Sequence, residues 1–380
     1  MFFKLKNNYK LLLTLFLIIT FLFFADKTAA VELGGKLELE SSLFYDDSVE
    51  LSLSGRSEVE FFFADYSNFE PRFVLQSSLD DDGQAELEIK YLYLRHRKDN
   101  KNLTIGRQPV SWSYGAIINL LDYGLGIDDL ASDTIEPGID GFRYHHSLGQ
   151  GRSLQLVTSF SELNVDDWEE LGYGARLRLP GSGYDLSFQA SYQPISDIEN
   201  ENDENNDNLL RAGMSYNRDI RDLGTYGSLG YFSSSDTDDI MLQFGIDYSW
   251  MIGDLRRRQV FLQAEYYRFL RDNLSAAYLA GLDIGGAEEL GGDSSTAEGL
   301  AAALFDNRDF LLIDLSVQLD HFSKLGVIFM GESQDNRKLL GSYYTSELGG
   351  GFEIRFDGNL AKNEEDDYLY GISSTLSYYF

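Results

Sequence analysis

The sequence predicts an all-β protein: a transmembrane antiparallel β-barrel of about 16–18 strands, with 18 favoured and the third loop folded inward. Three observations lead to this prediction. The chain opens with a segment typical of an export signal, and the remainder alternates apolar and polar residues in stretches of strand length. The last stretch ends on an aromatic residue. An exported chain without an apolar helix can span a membrane as a closed barrel, because the barrel pairs every backbone group.

Residues 1–30 have the features of a secretory signal peptide. Residues 4–10 carry three lysines, residues 11–24 are apolar and uncharged, and residues 28–30 supply the small side chains that precede a cleavage site. The apolar run is shorter than the roughly 20 residues that a spanning helix needs. An uncleaved N-terminal anchor is the alternative. We therefore expect residues 31–380 to form the mature barrel.

Composition excludes several classes of function. The chain has 62 acidic and 31 basic residues, a net charge of −31, and no cysteine. Such a charge argues against nucleic-acid binding, which needs a basic surface to meet phosphates. The absence of cysteine excludes disulfides, cysteine-ligated zinc and thiol catalysis. The acidity fits either a saline habitat or a function of its own, and the sequence leaves both open.

Segments of alternating polarity follow one another along the mature chain. Residues 184–193 place tyrosine, leucine, phenylalanine and alanine on one face and aspartate, serine and glutamine on the other, and residues 36–45 and 240–250 repeat the pattern. One face would meet lipid and the other water. A soluble β-sandwich also alternates, but the number of strands and the aromatic residues at strand ends favour the membrane barrel. The candidate strands are 33–45, 48–63, 69–79, 85–97, 101–108, 139–147, 153–162, 168–179, 184–196, 208–218, 225–234, 238–250, 257–270, 274–284, 309–321, 324–333, 342–356 and 368–380.

The strand count depends on the segment 274–284, which is the weakest candidate. Without it the count is odd and the C-terminus falls on the outer side, whereas both ends of a bacterial barrel lie in the periplasm. Connections after even-numbered strands should be short turns, and those after odd-numbered strands should be longer outer loops. Residues 285–308 break this rule, because they would be a long connection on the short side.

The connection 109–138 follows the fifth candidate strand and would be the third outer loop. It is too apolar for a solvated loop, so we expect it to pack inside the barrel and narrow the lumen. The alternative is that residues 110–121 form another strand. The candidate constriction residues are Trp112, Tyr114, Asn119, Asp122, Asp128 and Asp129.

Charges on the water-facing side of the strands separate by sign. Glutamates on the second and fourth candidate strands would line one side of the lumen, and arginines on the sixth, eighth and tenth would line the other. Such a field orients dipolar solutes and selects permeants by charge. The alternative is that these charges pair only for stability. The candidate pore-lining residues are Arg143, Arg176, Arg178, Arg211, Glu58, Glu60, Glu86 and Glu88.

Arg107 is ambiguous by the same parity argument. It alternates in phase with Leu103 and Ile105, which would face lipid. Only a bulge near Gly106 would turn its side chain elsewhere.

The last candidate strand carries an assembly signal. Ile372, Leu376, Tyr378 and Phe380 share one face. This pattern resembles the C-terminal signal that bacterial outer-membrane proteins present to the barrel-assembly machinery. The resemblance implies a location in the outer membrane of a Gram-negative cell. Its implied partners are that machinery, outer-membrane lipid and lipopolysaccharide.

Residues 103–122 resemble part of a known family. The stretch contains Gly106-Arg107-Gln108, then Trp112, Gly115, Asn119 and Asp122, and it is similar to the corresponding stretch of outer-membrane porins of the alginate-export type. The resemblance implies a pore for small hydrophilic or anionic solutes. The sequence as a whole therefore predicts an outer-membrane porin for passive, charge-filtered diffusion of small hydrophilic solutes. The alternative is a barrel that acts as a surface receptor or adhesin through its outer loops.

No motif for catalysis accompanies the barrel pattern. His145 and His146 are neighbours on a strand and point to opposite faces, so they cannot chelate one metal. The chain has no Gly-x-Ser-x-Gly elbow, no Walker motif and no dinucleotide fingerprint. Asp320 and His321 form the only adjacent acid–histidine pair and are expected at a turn. We therefore predict no enzymatic activity, no metal site and no cofactor, although the acidic run 197–208 leaves open a loop that binds Ca²⁺ or Mg²⁺.

Overall fold

A computed structural model describes most of the chain outside the N-terminal segment and the long connections. The described residues are 32–46, 48–63, 68–79, 85–112, 121, 123, 138–160, 171–195, 207–234, 238–253, 258–271, 309–332, 338–362 and 368–380. The predicted signal peptide, residues 1–30, lies outside them and stays a prediction. Within the described part, no helix has the length and hydropathy to cross a membrane.

Eighteen strands make up one antiparallel sheet. In chain order they are β1 Glu32–Asp46, β2 Ser48–Phe62, β3 Phe69–Leu79, β4 Ala85–Lys98, β5 Lys101–Gln108, β6 Ile139–Gly149, β7 Arg152–Phe160, β8 Leu171–Gly181, β9 Tyr184–Ile195, β10 Asp207–Ile220, β11 Leu223–Ser233, β12 Asp238–Ile252, β13 Arg258–Phe269, β14 Asp309–Gln318, β15 Ser323–Glu332, β16 Lys338–Gly349, β17 Phe352–Lys362 and β18 Tyr368–Tyr379.

The sheet closes on itself. Each strand pairs with the next along the chain, and β18 pairs with β1 in a register that runs from Lys36 opposite Tyr379 to Tyr45 opposite Tyr370. A closed sheet has no edge strand, so every strand finds a partner on both sides. The predicted fold class, a closed antiparallel barrel with 18 strands, is confirmed.

Alternation along each strand separates an outer from an inner face. On β9, Phe188 is 44% exposed, whereas its neighbours Ser187 and Gln189 are buried. The same contrast recurs around the barrel, where leucines, phenylalanines and tyrosines form an exposed outer band. An apolar surface of this extent is unstable in water and is what a lipid-facing wall requires.

The two-residue turns gather at one end of the barrel, and the four longest connections lie at the opposite end. Two residues join β4 to β5, β6 to β7, β8 to β9, β10 to β11, and β16 to β17, all after even-numbered strands. Several of these turns use a positive φ, as at Asp99 (51°) and Gln150 (55°). The N-terminal end of β1 meets the C-terminal end of β18 at this same end. We call it the short-turn end.

Two predicted strands are corrected. The segment 342–356 is not one strand, because Gly349, Gly350 and Gly351 all have positive φ and turn the chain between β16 and β17. The fourteenth strand is Asp309–Gln318, which pairs directly with β13. The segment 274–284 lies outside the described residues, and the barrel is complete without it. The long connection after β13 therefore follows an odd-numbered strand, as the rule for outer loops requires.

Candidate functional site

Two described aromatic residues of the connection 109–138 pack against the inner wall. Trp112 and Tyr123 are each only 1% exposed, and their ring centroids are 5.1 Å apart. They form a buried cluster with Val110 and with Val157 of β7. The sheet passes directly from β5 to β6, so no extra barrel strand lies between Gln108 and Ile139. The rings of this connection therefore lie inside the barrel.

A glycine of β8 makes room for these two rings. A Cβ atom added to Gly174 would lie 2.5 Å from the Trp112 ring and 2.6 Å from the Tyr123 ring, both closer than real Cβ contacts. The Tyr123 hydroxyl is also hydrogen-bonded to Ser159 Oγ at 2.6 Å. Burial raises the pKa of the Tyr123 phenol, although the hydrogen bond with Ser159 opposes the shift. The Tyr123 ring is thus held by close packing against Gly174 and by the hydrogen bond of its hydroxyl with Ser159.

Three inward-facing side chains of β9 and β10 hold the backbone of the same connection. Gln189 Nε2 donates to the Leu121 carbonyl at 3.1 Å, and Gln193 Nε2 donates to the Tyr123 carbonyl at 3.0 Å. Arg211 Nη2 donates to the same Tyr123 carbonyl at 3.2 Å and also to Gln193 Oε1. We call Gln189, Gln193 and Arg211 the loop anchor.

The loop anchor changes the interpretation of Arg211. The sequence pattern places this arginine on the open lumen, whereas in the structure it is 1% exposed beneath the loop. Its charge is used to hold a carbonyl rather than to meet a solute. Sequence reasoning did not identify Gln189 and Gln193. The available signal was the pair of glutamines on the inward face of β9, where the residues between them and before them are serines.

The other candidate constriction residues cannot be placed. Tyr114, Asn119, Asp122, Asp128 and Asp129 lie outside the described residues. Their role in the constriction stays a prediction.

The remaining candidate arginines lie on the inner face of β6 and β8. Arg143 Nη1 donates to the Pro109 carbonyl at 2.8 Å, which holds the start of the same connection. Arg176 Nε donates to Ser187 Oγ at 2.7 Å, and Arg178 Nε donates to Asp185 Oδ2 at 2.6 Å. Arg178 forms an ion pair with that aspartate and is still partly exposed.

The candidate glutamates of β2 face bases from the neighbouring strands. Glu60 accepts from Arg72 Nε at 2.7 Å, and Glu58 accepts from Lys90 Nζ at 2.6 Å. Glu88 lies on the same face, opposite Gln76 in the register, while the side chain of Glu86 is outside the described part. Two of the four candidate glutamates on this side of the lumen, Glu58 and Glu60, are therefore compensated by ion pairs.

A second group of bases continues this wall toward the short-turn end. Arg95 pairs with Glu70 at 3.2 Å, and Arg97 pairs with the same glutamate. Arg72 lies 5.4 Å from the Tyr91 ring centroid, and Arg95 lies 5.3 Å from that of Tyr93. Stacking of this kind holds a guanidinium in one orientation.

A bulge explains why the sequence pattern did not reveal these bases. Val74 pairs with Tyr91, but Leu75 pairs with Ile89, so Lys90 is an extra residue in β4. Even-numbered residues face the lumen before the bulge, and odd-numbered residues such as Arg95 face it afterwards. A parity count carried through the strand places Arg95 on the lipid side.

Arg107 is a structural residue. Its Nη1 donates to the Ile89 carbonyl at 3.1 Å, and its Nε donates to the Gly138 carbonyl at 3.3 Å. The preceding Gly106 has a φ of 113°, and a Cβ there would overlap the Leu92 carbonyl. Arg107 therefore binds backbone carbonyls of β4 and of the residue that precedes β6.

The candidate assembly residues lie at the seam between β18 and β1. Ile372 and Leu376 are exposed on the outer face. The Tyr378 ring packs against Phe352 at 4.6 Å and against Phe380 at 6.0 Å between centroids. Whether this face is recognised by an assembly machine stays a prediction.

Comparison with known proteins gives a fold but no family. No family model matches the chain, and no curated protein matches it. The chain is similar in structure to the outer membrane protein opdK from Pseudomonas aeruginosa, with a TM-score of 0.54 and 11% identity, over 92% of this chain and 98% of that one. P. aeruginosa OccK2 (OpdF), solved in complex with glucuronate, gives the same four values.

A barrel from another organism is equally similar. Acinetobacter baumannii OccAB4 has a TM-score of 0.54 and 9% identity, over 92% of this chain and 98% of that one. Identities this low carry the fold alone. The chain therefore has the barrel fold of bacterial outer-membrane porins, and the comparisons do not support the narrower resemblance to alginate-export-type porins.

Proposed function

We propose that the chain is an outer-membrane porin that allows passive, charge-filtered diffusion of small hydrophilic solutes. One observation carries this proposal. The loop anchor and the Trp112–Tyr123 pair hold the described residues Trp112, Leu121 and Tyr123 of the third loop on the inner wall. A barrel of eighteen strands otherwise leaves a wide lumen, and a loop seated inside it sets a limiting width.

Charge selection would depend on the charged side chains of the inner wall that the loop does not cover. Arg176 and Arg178 on β8 lie four to six strands around the ring of eighteen from the ion-paired wall of β2–β4. Fixed charges along a water-filled passage set a field that favours some permeants over others. Solutes the size of a single ring are reasonable permeants. In support, two barrels of similar fold were solved with glucuronate and with vanillate.

The setting of this pore is part of the proposal. Residues 1–30 would export the chain, and the barrel-assembly machinery would insert it through the β18 signal. Outer-membrane lipid and lipopolysaccharide would then surround the apolar outer band. The rival function, a receptor or adhesin that works through its outer loops, would use the same barrel but would not need an open passage.

Single-channel recording in planar bilayers tests the proposal. The purified protein should open ion-conducting channels, and a variant lacking residues 115–137 should conduct more and select less. The double variant R176Q/R178Q should shift the reversal potential toward cation selectivity, while R221Q, in the turn between β10 and β11, should not. A protein that inserts but never conducts would reject the porin and leave the receptor function.

A further inference from the structure

A separate cavity lies at the short-turn end of the lumen, against the inner face of β13–β17. Its volume is about 670 Å³, and it is lined by both cations and anions, three glutamine amides and several apolar side chains. None of its residues belongs to the loop anchor or to the Trp112–Tyr123 cluster. The residues that carry the argument are Gln318, Lys324, Tyr343, Glu347, Glu353 and Arg355.

The charges of the cavity are sorted into two adjacent rows. Lys324 lies opposite Thr345, which lies opposite Arg355, so one row carries both cations. In the next row toward the short-turn end, Glu347 lies directly opposite Glu353. Rows of the same face are about 7 Å apart along a strand. The cavity thus has a positive band beside a negative one.

The cations of the first row are held in place by an aromatic ring. Lys324 Nζ lies 5.2 Å from the Tyr343 ring centroid, and Arg355 Cζ lies 5.4 Å from it. Arg355 is also paired with Asp357 at 2.9 Å. Asp314 also lines the cavity and interacts electrostatically with Lys324. Among the described residues, however, no carboxylate lies within ion-pair distance of the Lys324 ammonium, so this group still has donors to offer.

The two glutamates of the second row are left facing each other. Like charges directly opposite on neighbouring strands destabilise a sheet. Among the described residues, neither Glu347 nor Glu353 forms an ion pair. A cationic group placed between them would remove this repulsion, and a carboxylate placed one row higher would meet Lys324.

We propose that this cavity binds a small zwitterion of zero net charge, such as an α-amino acid. Its carboxylate would face Lys324 and Arg355, and its ammonium would face Glu347 and Glu353. Opposite charges a few bonds apart match two rows separated by about 7 Å. The Gln318 amide supplies a neutral donor and acceptor beside Lys324. This inference rests on the proposed function only in that solute must enter the lumen.

The test is a titration of the detergent-purified protein with three molecules of similar size, followed by saturation-transfer NMR. Alanine carries both charges, propionate carries only the anion and ethylammonium only the cation. Alanine should bind saturably and at least about tenfold more tightly than either of the others, since each charge-assisted contact contributes about tenfold.

Variants then assign the two ends of the ligand. K324Q and the double variant E347Q/E353Q should each weaken alanine binding about tenfold, and K324R should restore it. K98Q and E32Q, which change charges outside the cavity at the same end of the barrel, should bind alanine as the wild type does. E347Q/E353Q removes the repulsion between the two glutamates and should therefore fold. The test thus remains decisive even where K324Q fails to fold.

Each result has one meaning. Equal affinity for alanine and propionate, lost only in K324Q, would overturn the zwitterion site in favour of a plain anion site. Equal binding by all variants would overturn the site altogether. Conductance without saturable alanine binding rejects this site and keeps the porin, whereas alanine binding without conductance rejects the porin and keeps the site.

Discussion

The backbones of Gly35 and Phe380 are joined by two hydrogen bonds: each N–H donates to the other residue's carbonyl, and both N···O distances are 3.1 Å. A Cβ on Gly35 would lie 2.8 Å from the Phe380 ring and would overlap the Glu58 carbonyl. Gly35 and Phe380 therefore pair at the seam of the barrel. The Phe380 ring occupies the space that a side chain at position 35 would need.

Changes at this seam should impair assembly. We expect F380D to lower the amount of protein in the outer membrane severalfold, because a charge at the seam disturbs both the closing pair and the apolar face of β18. Membrane fractions of cells that make each variant, compared by heat-modifiable mobility, provide the measurement. F322D changes another exposed phenylalanine in the turn between β14 and β15 and should assemble normally. Normal levels of F380D would count against the signal.

A methyl group at Gly174 should release the constriction. G174A places a Cβ against the Trp112 and Tyr123 rings, an overpacking that costs about 1–3 kcal/mol. We expect the loop to leave the wall and single-channel conductance to rise. G55A is the matched control, since a Cβ there has no neighbour closer than 3.7 Å. Equal conductance in G174A and the wild type would mean that the rings do not set the width.

Alkaline pH should loosen the same contact. Burial raises the pKa of the Tyr123 phenol in the folded state, so its contribution to stability is complete below the ordinary pKa of about 10 and is lost as the pH rises beyond it. We expect conductance to increase above about pH 10 in the wild type, and Y123F to lack this step. Y184F, at an exposed tyrosine in β9, should retain it. A step that persists in Y123F would assign it to another group.

The pair of Glu60 and Arg72 should control ion selectivity with opposite signs. E60Q leaves Arg72 without that carboxylate and should favour anions, whereas R72Q leaves Glu60 and should favour cations, each by about twofold or more in permeability ratio. The double variant should return close to the wild-type value, because the pair is neutral. Reversal potentials in a salt gradient give the ratios. Identical potentials in both single variants would place this pair outside the permeation path.

Strand alternation was enough to predict the barrel, because each strand must present an apolar side to lipid. Strand ends were less certain where glycine allows several conformations. The turn at Gly349–Gly351 is hidden in a run that alternates on both sides. The predicted count of eighteen held because 342–356 divides into two strands, while β13 pairs directly with Asp309–Gln318, which the sequence pattern had counted as the fifteenth strand.

The inner wall was harder to predict than the outer one. A single extra residue at Lys90 inverts the facing of everything after it in β4, and no local pattern announces the insertion. The loop anchor depends on contacts between residues far apart in sequence, which alternation cannot report. Arg211 shows the limit: its face was predictable from parity, but its burial beneath a loop was not.

The loop anchor also orders events in time. Leu121 is held by Gln189, which lies 68 residues further along the chain, and Tyr123 is held by Arg211, which lies 88 residues further along. The loop cannot bind to the inner wall until β9 and β10 have formed, because these strands supply Gln189, Gln193 and Arg211. Contacts between residues far apart in sequence slow folding. A folding barrel would therefore pass through a stage in which Trp112 and Tyr123 are not yet packed on the inner wall and the loop does not narrow the lumen.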